Sequence, residues 1–272
     1  MSPISRKKQE NSPGIALSAL AGVRVVALDW GGTLVHVARQ EATRAACAAA
    51  AAEFCRTQGW RLEAGAEDAL LASLQAQLAL TERADCLSEL DTTGLLAAWC
   101  ARHELPLADG HGERLADALW RPWVGCLDLI PGVAGVLGAL RAQGFTLGLV
   151  SNCATAPAVC RAELQRLGIA DEFAFTLFSS EIGFRKPHPR IYDETLARAR
   201  SIHADLRPGE VLFVGDTPIA DIEGPRIAGM HTALVAPGAG NADVAACRPD
   251  GTLESILDLP RLLGSKIVGM GP

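Results

Sequence analysis

Lysine is nearly missing from this chain: of its 25 lysines and arginines, only Lys7, Lys8, Lys186 and Lys266 are lysine. None stands between Lys8 and Lys186, so that stretch can hold no amine for Schiff-base chemistry. Positive charge is short overall, at a net −6. That leaves no broad electrostatic footprint for nucleic acid, and the RKK cluster at residues 6–8 is too small to create one. Long apolar runs are absent too. The segment IALSALAG at 15–22 is too short to span a bilayer and lacks a secretory pattern with a cleavage site, so neither a membrane partner nor export is expected. The eight cysteines, at 47, 55, 86, 100, 126, 153, 160 and 247, include no C-x-x-C pair. Several lie in alanine-rich segments as small apolar fillers, and we read them as reduced and the protein as cytoplasmic.

What is present is an alternation. With 49% hydrophobic and 21% charged residues over 272 positions, the chain can bury the core of one large domain or two modest ones. Short β-branched or apolar runs at 23–28, 145–150, 173–178, 211–214 and 232–236 are separated by helical patterns at 132–143, 157–167, 189–200 and 219–229. This is the signature of a doubly wound parallel sheet with helices on both faces, an α/β fold. Residues 36–130 break the rhythm. They contain no convincing strand, while EATRAACAAAAAEFCR and AEDALLASLQAQLAL read as helices. The expected organisation is an N-terminal extension at 1–22, a core at 23–35 and 131–272, and an all-helical insertion at 36–130. Both ends of the insertion emerge at the carboxyl edge of the sheet, where open α/β sheets bind ligands, so it can act as a lid. From about 237 onward a loop, a short helix and a frayed tail are expected.

Four polar signals follow apolar runs or open helices: Asp29 with Thr33, Ser151 with Asn152, Lys186 with Pro187, and Gly215-Asp216 with Asp221. Singly, each reads as a helix cap or surface turn. Together, at the ends of successive strands, they converge on one crevice. A carboxylate such as Asp29 can attack an electrophilic phosphorus or carbon and form a covalent intermediate. Carboxylate and phosphate repel each other, and Lys186 with a Mg²⁺ held by Asp29 and Asp216 would bring them together. The Ser151 hydroxyl and the main-chain N–H groups after Asp29 can bind phosphoryl oxygens, the Gly31-Gly32 pair letting the backbone approach.

The order and spacing of LDWGGTL, LVSN, GFRKPHP and VGDTPIAD resemble the four motifs of the haloacid dehalogenase-like hydrolases, over about residues 23–237. The resemblance implies a Rossmann-like core, and an insertion similar to a C1-type helical cap. It implies Asp29 as nucleophile, Ser151 as phosphate-binding hydroxyl, with Thr33 and Asn152 beside the substrate, and Lys186 as the neutralising cation. For Mg²⁺ it implies Asp29, Asp216, Asp221 and the main-chain carbonyl of Gly31.

Gly31 departs from the family pattern. The family's phosphatases carry there an aspartate that protonates the leaving oxygen and then activates water, which contributes about 10² to 10⁴ in rate. Dehalogenase-like members place a tyrosine there and use no metal, whereas Asp216 and Asp221 are retained here. Phosphonoacetaldehyde hydrolase-like members carry a small residue there but need a lysine in the cap. The expected activity is therefore Mg²⁺-dependent hydrolysis of a small phosphorylated metabolite through an aspartyl-phosphate. The alternatives are a binding protein of the same fold that has lost turnover, and a phosphonatase- or dehalogenase-like hydrolase. Stand-in proton carriers are His36, Glu82 and Asp85, each also readable as a solvated charge. Trp30 is expected to pack or shape the pocket floor, and Trp120 and Trp123 to pack at the core or hinge.

Overall fold

The computed structural model describes residues 20–37, 40–81, 83, 86–108, 110–236 and 247–264. The run Val25–Leu28 forms β1, one of the two central strands of a six-stranded sheet. Its residues alternate between two cores, as the two-residue period of a strand requires. Val26 and Leu28 join a cluster with Leu147, Leu149, Leu212 and Val214. Val25 and Ala27 join another with Val150, Val211 and Phe213. A strand buried on both faces reads as a continuous apolar run, which is why this one is legible in sequence.

After β1 the chain forms β2 (Val35–Val37), then α1 (Gln40–Thr57), α2 (Ala66–Thr81), α3 (Thr92–Arg102) and α4 (His111–Val124), and returns through β3 (Leu127–Leu129). There follow α5 (Val133–Ala142), β4 (Thr146–Ser151), α6 (Pro157–Arg166), β5 (Phe175–Phe178), α7 (Ser179–Ile182), α8 (Pro189–Ile202) and β6 (Val211–Gly215). The chain closes with a π-helical turn at Pro218–Glu223, α9 (Gly224–Ile227), β7 (His231–Val235), β8 (Gly251–Leu253) and α10 (Leu259–Leu263). The sheet order is β5-β4-β1-β6-β7-β8, and every pairing in it is parallel. Successive strands first build outward from β1 through β4 to β5. They then build on its other side through β6, β7 and β8, so the chain reverses direction at β1, and the crevice at such a point is where ligands bind.

The insertion has its own core. Cys47, Ala48, Ala51 and Cys55 of α1 recur at helical spacing and pack with Leu70 and Leu74 of α2, Leu96 and Trp99 of α3, and Leu115, Leu119 and Trp120 of α4. The indole N–H of Trp120 donates to Thr92 Oγ1 at 3.0 Å, and Asp91 caps α3 by accepting from Gly94 N at 2.8 Å. Two features differ from the sequence expectation. The stretch 36–130 does contain strand: β2 and β3 pair antiparallel, Val35 opposite Leu129 and Val37 opposite Leu127. Three-residue strands such as VHV and LDL are too short for alternation to register. The segment after 237, expected as loop and short helix, contributes a sixth strand, β8, for the same reason. No helix among the described residues is long and apolar enough to cross a membrane.

Candidate active site

Asp29 follows β1 directly. Its N–H donates to Val214 O at 2.9 Å, continuing the ladder with β6, so the sheet itself fixes the position of the carboxylate. Lys186 arrives from the loop before α8. Its ammonium donates to Asp29 Oδ1 at 2.7 Å, Asp221 Oδ1 at 2.7 Å and Val150 O at 3.1 Å. An ammonium has three protons, and all three are used. The side chain is 2% exposed, and Nζ lies 5.2 Å from the Phe213 ring centroid, so this cation is held rather than solvated.

Asp216 and Asp221 come from the segment after β6. Asp221 Oδ2 accepts from Thr217 N at 2.9 Å, and Asp221 N donates to Thr217 O at 2.7 Å. Two glycines make room for these acids. A Cβ at Gly215 would stand 2.3 Å from Asp221 Cγ, and one at Gly32, whose φ is +76°, would stand 2.1 Å from Asp216 Oδ2. Oxygens of Asp29, Asp216 and Asp221 lie within 4.8 Å of one another. Three carboxylates face one ammonium, those of Asp29 and Asp221 buried and that of Asp216 partly exposed. Burial raises Asp29 to about 7; Lys186 opposes this and Asp221 reinforces it. Burial and Asp221 also raise Asp216. For Lys186, burial acts downward, but Asp221 and Asp29 outweigh it and hold the ammonium above its ordinary range. An all-oxygen donor set in which three carboxylates meet one ammonium fits a hard divalent cation.

Ser151 ends β4 and is buried. Next to it, Asn152 spends both ends of its amide on one backbone unit: Oδ1 accepts from Lys186 N at 2.7 Å and Nδ2 donates to Lys186 O at 3.0 Å. It therefore ties the loop after β4 to the loop that delivers the lysine. Thr33 is fully buried with no hydrogen-bond partner for Oγ1, and Trp30 Nε1 is likewise unpartnered. Trp30 packs 5.9 Å from Phe178, ring centre to ring centre. At Gly31 a Cβ would meet no atom within 4 Å.

These groups surround a cavity of about 500 Å³ whose lining includes Asp29, Gly31, Ser151, Asn152, Lys186 and Asp221. Thr33 and Asp216 are not part of the lining. From the insertion come Thr81, Arg83, Cys86 and Trp123, so the cavity lies between core and insertion. Trp123 thus forms part of the wall, while Trp120 is buried in the core of the insertion. His36 does not reach the cavity: it is exposed on β2, opposite Asp128. Glu82 and Asp85 lie outside the described residues.

One network was not legible in sequence. Glu89, in the loop between α2 and α3, accepts from Arg185 Nη1 at 2.7 Å and from the Ser179 hydroxyl. Ser179 Oγ in turn accepts from Cys153 N at 2.7 Å. Main-chain bonds from Glu89 N to Gly183 O and from Arg185 N to Leu87 O stitch the same two loops. No periodicity or motif marks these residues; only the adjacency of Arg185 to Lys186 and of Cys153 to Asn152 hints at them.

A reversing parallel sheet, a helical insertion above its carboxyl edge and an aspartate–lysine–aspartate cluster in the crevice define an α/β protein with a charged crevice at the turning point of its sheet. The chain belongs to the haloacid dehalogenase-like hydrolases, whose family model matches residues 23–229. It is 33% identical over 156 residues to a phosphoserine phosphatase of Thermus thermophilus, covering 53% of this chain and 59% of that protein. It is 33% identical over 128 residues to a ribulose-1,5-bisphosphate 5-phosphatase of Halopiger xanaduensis, covering 47% and 51%. The chain thus spans about half the length of the curated relatives it matches. In fold it is similar to a 2-haloacid dehalogenase of Pseudomonas syringae, with a TM-score of 0.60 and 24% identity over 89% of this chain and 98% of the other.

Proposed function

We propose that the protein is a Mg²⁺-dependent phosphatase that hydrolyses a small phosphorylated metabolite through an aspartyl-phosphate at Asp29. The observation that carries this reading is the position of Lys186 Nζ, 2.7 Å from both Asp29 Oδ1 and Asp221 Oδ1. That contact aligns the Asp29 carboxylate and leaves its second oxygen without a hydrogen bond among the described residues. The relatives named as phosphatases support the same chemistry on a small phosphorylated substrate.

Asp29 attacks phosphorus, and the bond from phosphorus to the ester oxygen breaks. Ser151 and the main-chain N–H groups of Trp30 and Gly31 bind the remaining phosphoryl oxygens, that of Gly32 being donated to Val35 O. Water then attacks phosphorus, phosphate departs and the Asp29 carboxylate is restored. Lys186 offsets negative charge in both steps and orients the nucleophile. Asn152 acts by holding the Lys186 backbone in place. Asp29, Asp216, Asp221 and the Gly31 carbonyl would hold Mg²⁺. Bound there, it supplies the positive charge that lets an anionic phosphoryl group approach a carboxylate. Gly31 provides no proton, so the leaving oxygen takes its proton from water or from the substrate, which favours esters with good leaving groups. The helices between residues 36 and 130 serve as the cap and select the substrate; Trp123 and Thr81 in the cavity wall support this.

Gly31 also favours a second reading, a phosphate-ligand-binding protein without turnover. One assay separates them. With Mg²⁺ and an activated aryl phosphate, the enzyme turns over and Asp29→Asn does not. Saturable binding of a phosphate analogue with no turnover in the unaltered chain would establish the second reading.

A further inference from the structure

The sulfur of Cys153 lies 3.4 Å from that of Cys160. Cys153 sits in the loop after β4, beside Ser151 and Asn152, and lines the cavity. Cys160 is fully buried in α6. No role in the proposed hydrolysis uses either thiol. We propose that this pair is a reversible thiol–disulfide site, oxidised by small hydroperoxides, whose closure pulls the phosphate-binding loop out of register. Only its consequence for hydrolysis rests on the phosphatase reading; the site itself does not.

A disulfide needs the sulfurs at about 2.05 Å, so they must approach by only about 1.4 Å. The geometry is asymmetric in the required sense: Cys153 is half-buried and lines the cavity, whereas Cys160 is fully buried. The sulfur of Cys153 is thus the one a hydroperoxide reaches first. Elsewhere, burial pushes Cys47 and Cys55 up to about 12, which leaves them protonated and inert. Cys153 attacks the hydroperoxide oxygen: an S–O bond forms, the O–O bond breaks and the departing oxygen leaves as water or alcohol. The Cys160 sulfur then attacks the Cys153 sulfur: an S–S bond forms, the S–O bond breaks and hydroxide leaves, taking the Cys160 proton to become water. Two thiols lose two electrons and two protons, and the peroxide bond is reduced.

Cys160 is anchored in a helix and fully packed, so Cys153 makes most of the movement. Its N–H is bonded to Ser179 Oγ, which is bonded to Glu89. Moving Cys153 strains that link and shifts Ser151 and Asn152, and with Asn152 the backbone of Lys186.

Full-length protein should be treated with hydrogen peroxide, blocked with an alkylating agent and mapped by peptide mass spectrometry. The expected product is the single peptide that carries both Cys153 and Cys160, two hydrogens lighter and alkylated at neither sulfur; dithiothreitol reverses it, and it is absent in Cys160→Ser and in Cys153→Ser. In parallel, aryl phosphate hydrolysis should fall by roughly ten- to a hundredfold, the scale of an ångström-sized misplacement, and recover on reduction. Both thiols remaining alkylatable, or Cys153 passing to sulfinic acid without joining Cys160, overturns the site. A disulfide that leaves hydrolysis unchanged overturns the switch. Were the reduced protein to hydrolyse nothing, the phosphatase reading would fail while the peptide map still decided the thiol pair.

Discussion

Lys186 Nζ bridges Asp29 and Asp221, 2.7 Å from a carboxylate oxygen of each, with almost no solvent around it. The ammonium offsets charge that burial would otherwise make intolerable. Lys186→Met leaves two buried carboxylates facing each other, and loss of one partner from a buried pair costs about 3–5 kcal/mol. Turnover should fall at least about a hundredfold with it, the scale of losing one electrostatic contact at a reacting centre. Urea denaturation should also show Lys186→Met/Asp221→Asn to be more stable than Lys186→Met alone, because one orphaned charge is gone. A double variant no more stable than the single one would mean that the bridge does not carry this role.

The elements and groups that could be read from sequence share one property: each is announced by its own local surroundings. The runs at 25–28 and 211–215 are buried on both faces and so are uniformly apolar, and Asp29 and Asp216 follow their last residues. Lys186 stood out through the scarcity of lysine. Glu89, Ser179 and Arg185 meet only after the insertion folds against the core, and nothing local to any of them encodes that meeting. The strands at 35–37, 127–129 and 251–253 have too few residues to express a period. His36 shows the converse: a histidine near the nucleophile in sequence that the β2–β3 ribbon turns to solvent.

Room for a proton carrier exists at residue 31, where a Cβ meets nothing within 4 Å. Gly31→Asp should therefore fold normally and raise hydrolysis of alkyl phosphates, whose leaving oxygen needs a proton, by about 10² to 10⁴. Activated aryl phosphates should gain much less. Steady-state rates on a matched alkyl and aryl pair measure the difference, and equal gains on both would show that the leaving-group proton does not limit the reaction.

Gly32 and Asp216 are in near-contact, and φ at Gly32 is +76°. Gly32→Ala should displace the Asp216 carboxylate and weaken Mg²⁺ binding by roughly ten- to a hundredfold, as expected when a ligand loses its support. Gly135→Ala, in open space on α5, should leave binding unaltered. Calorimetric titration with Mg²⁺ reads both, and unchanged affinity in Gly32→Ala would remove Asp216 from the metal site.

Mg²⁺ binding should depend on pH in one direction. Burial, opposed by Lys186 and reinforced by Asp221, raises Asp29 to about 7, and a proton and a cation compete for the same oxygens. Affinity should thus fall by about tenfold for each pH unit below about 7 and level off above it, as linkage to a single proton requires. Titration in buffers of different ionisation enthalpy should register close to one proton released below the midpoint. A flat profile would mean that Asp29 is already ionised or does not ligate.

The nucleophile itself is tested most directly by stopping the reaction in acid during turnover of an aryl phosphate, reducing with borohydride and mapping the peptides. A phosphorylated Asp29 is converted to homoserine at that position, and this is the expected product, absent in Asp29→Asn. Turnover with Asp29 unmodified and the phosphoryl group on another residue, or on none, would contradict the mechanism.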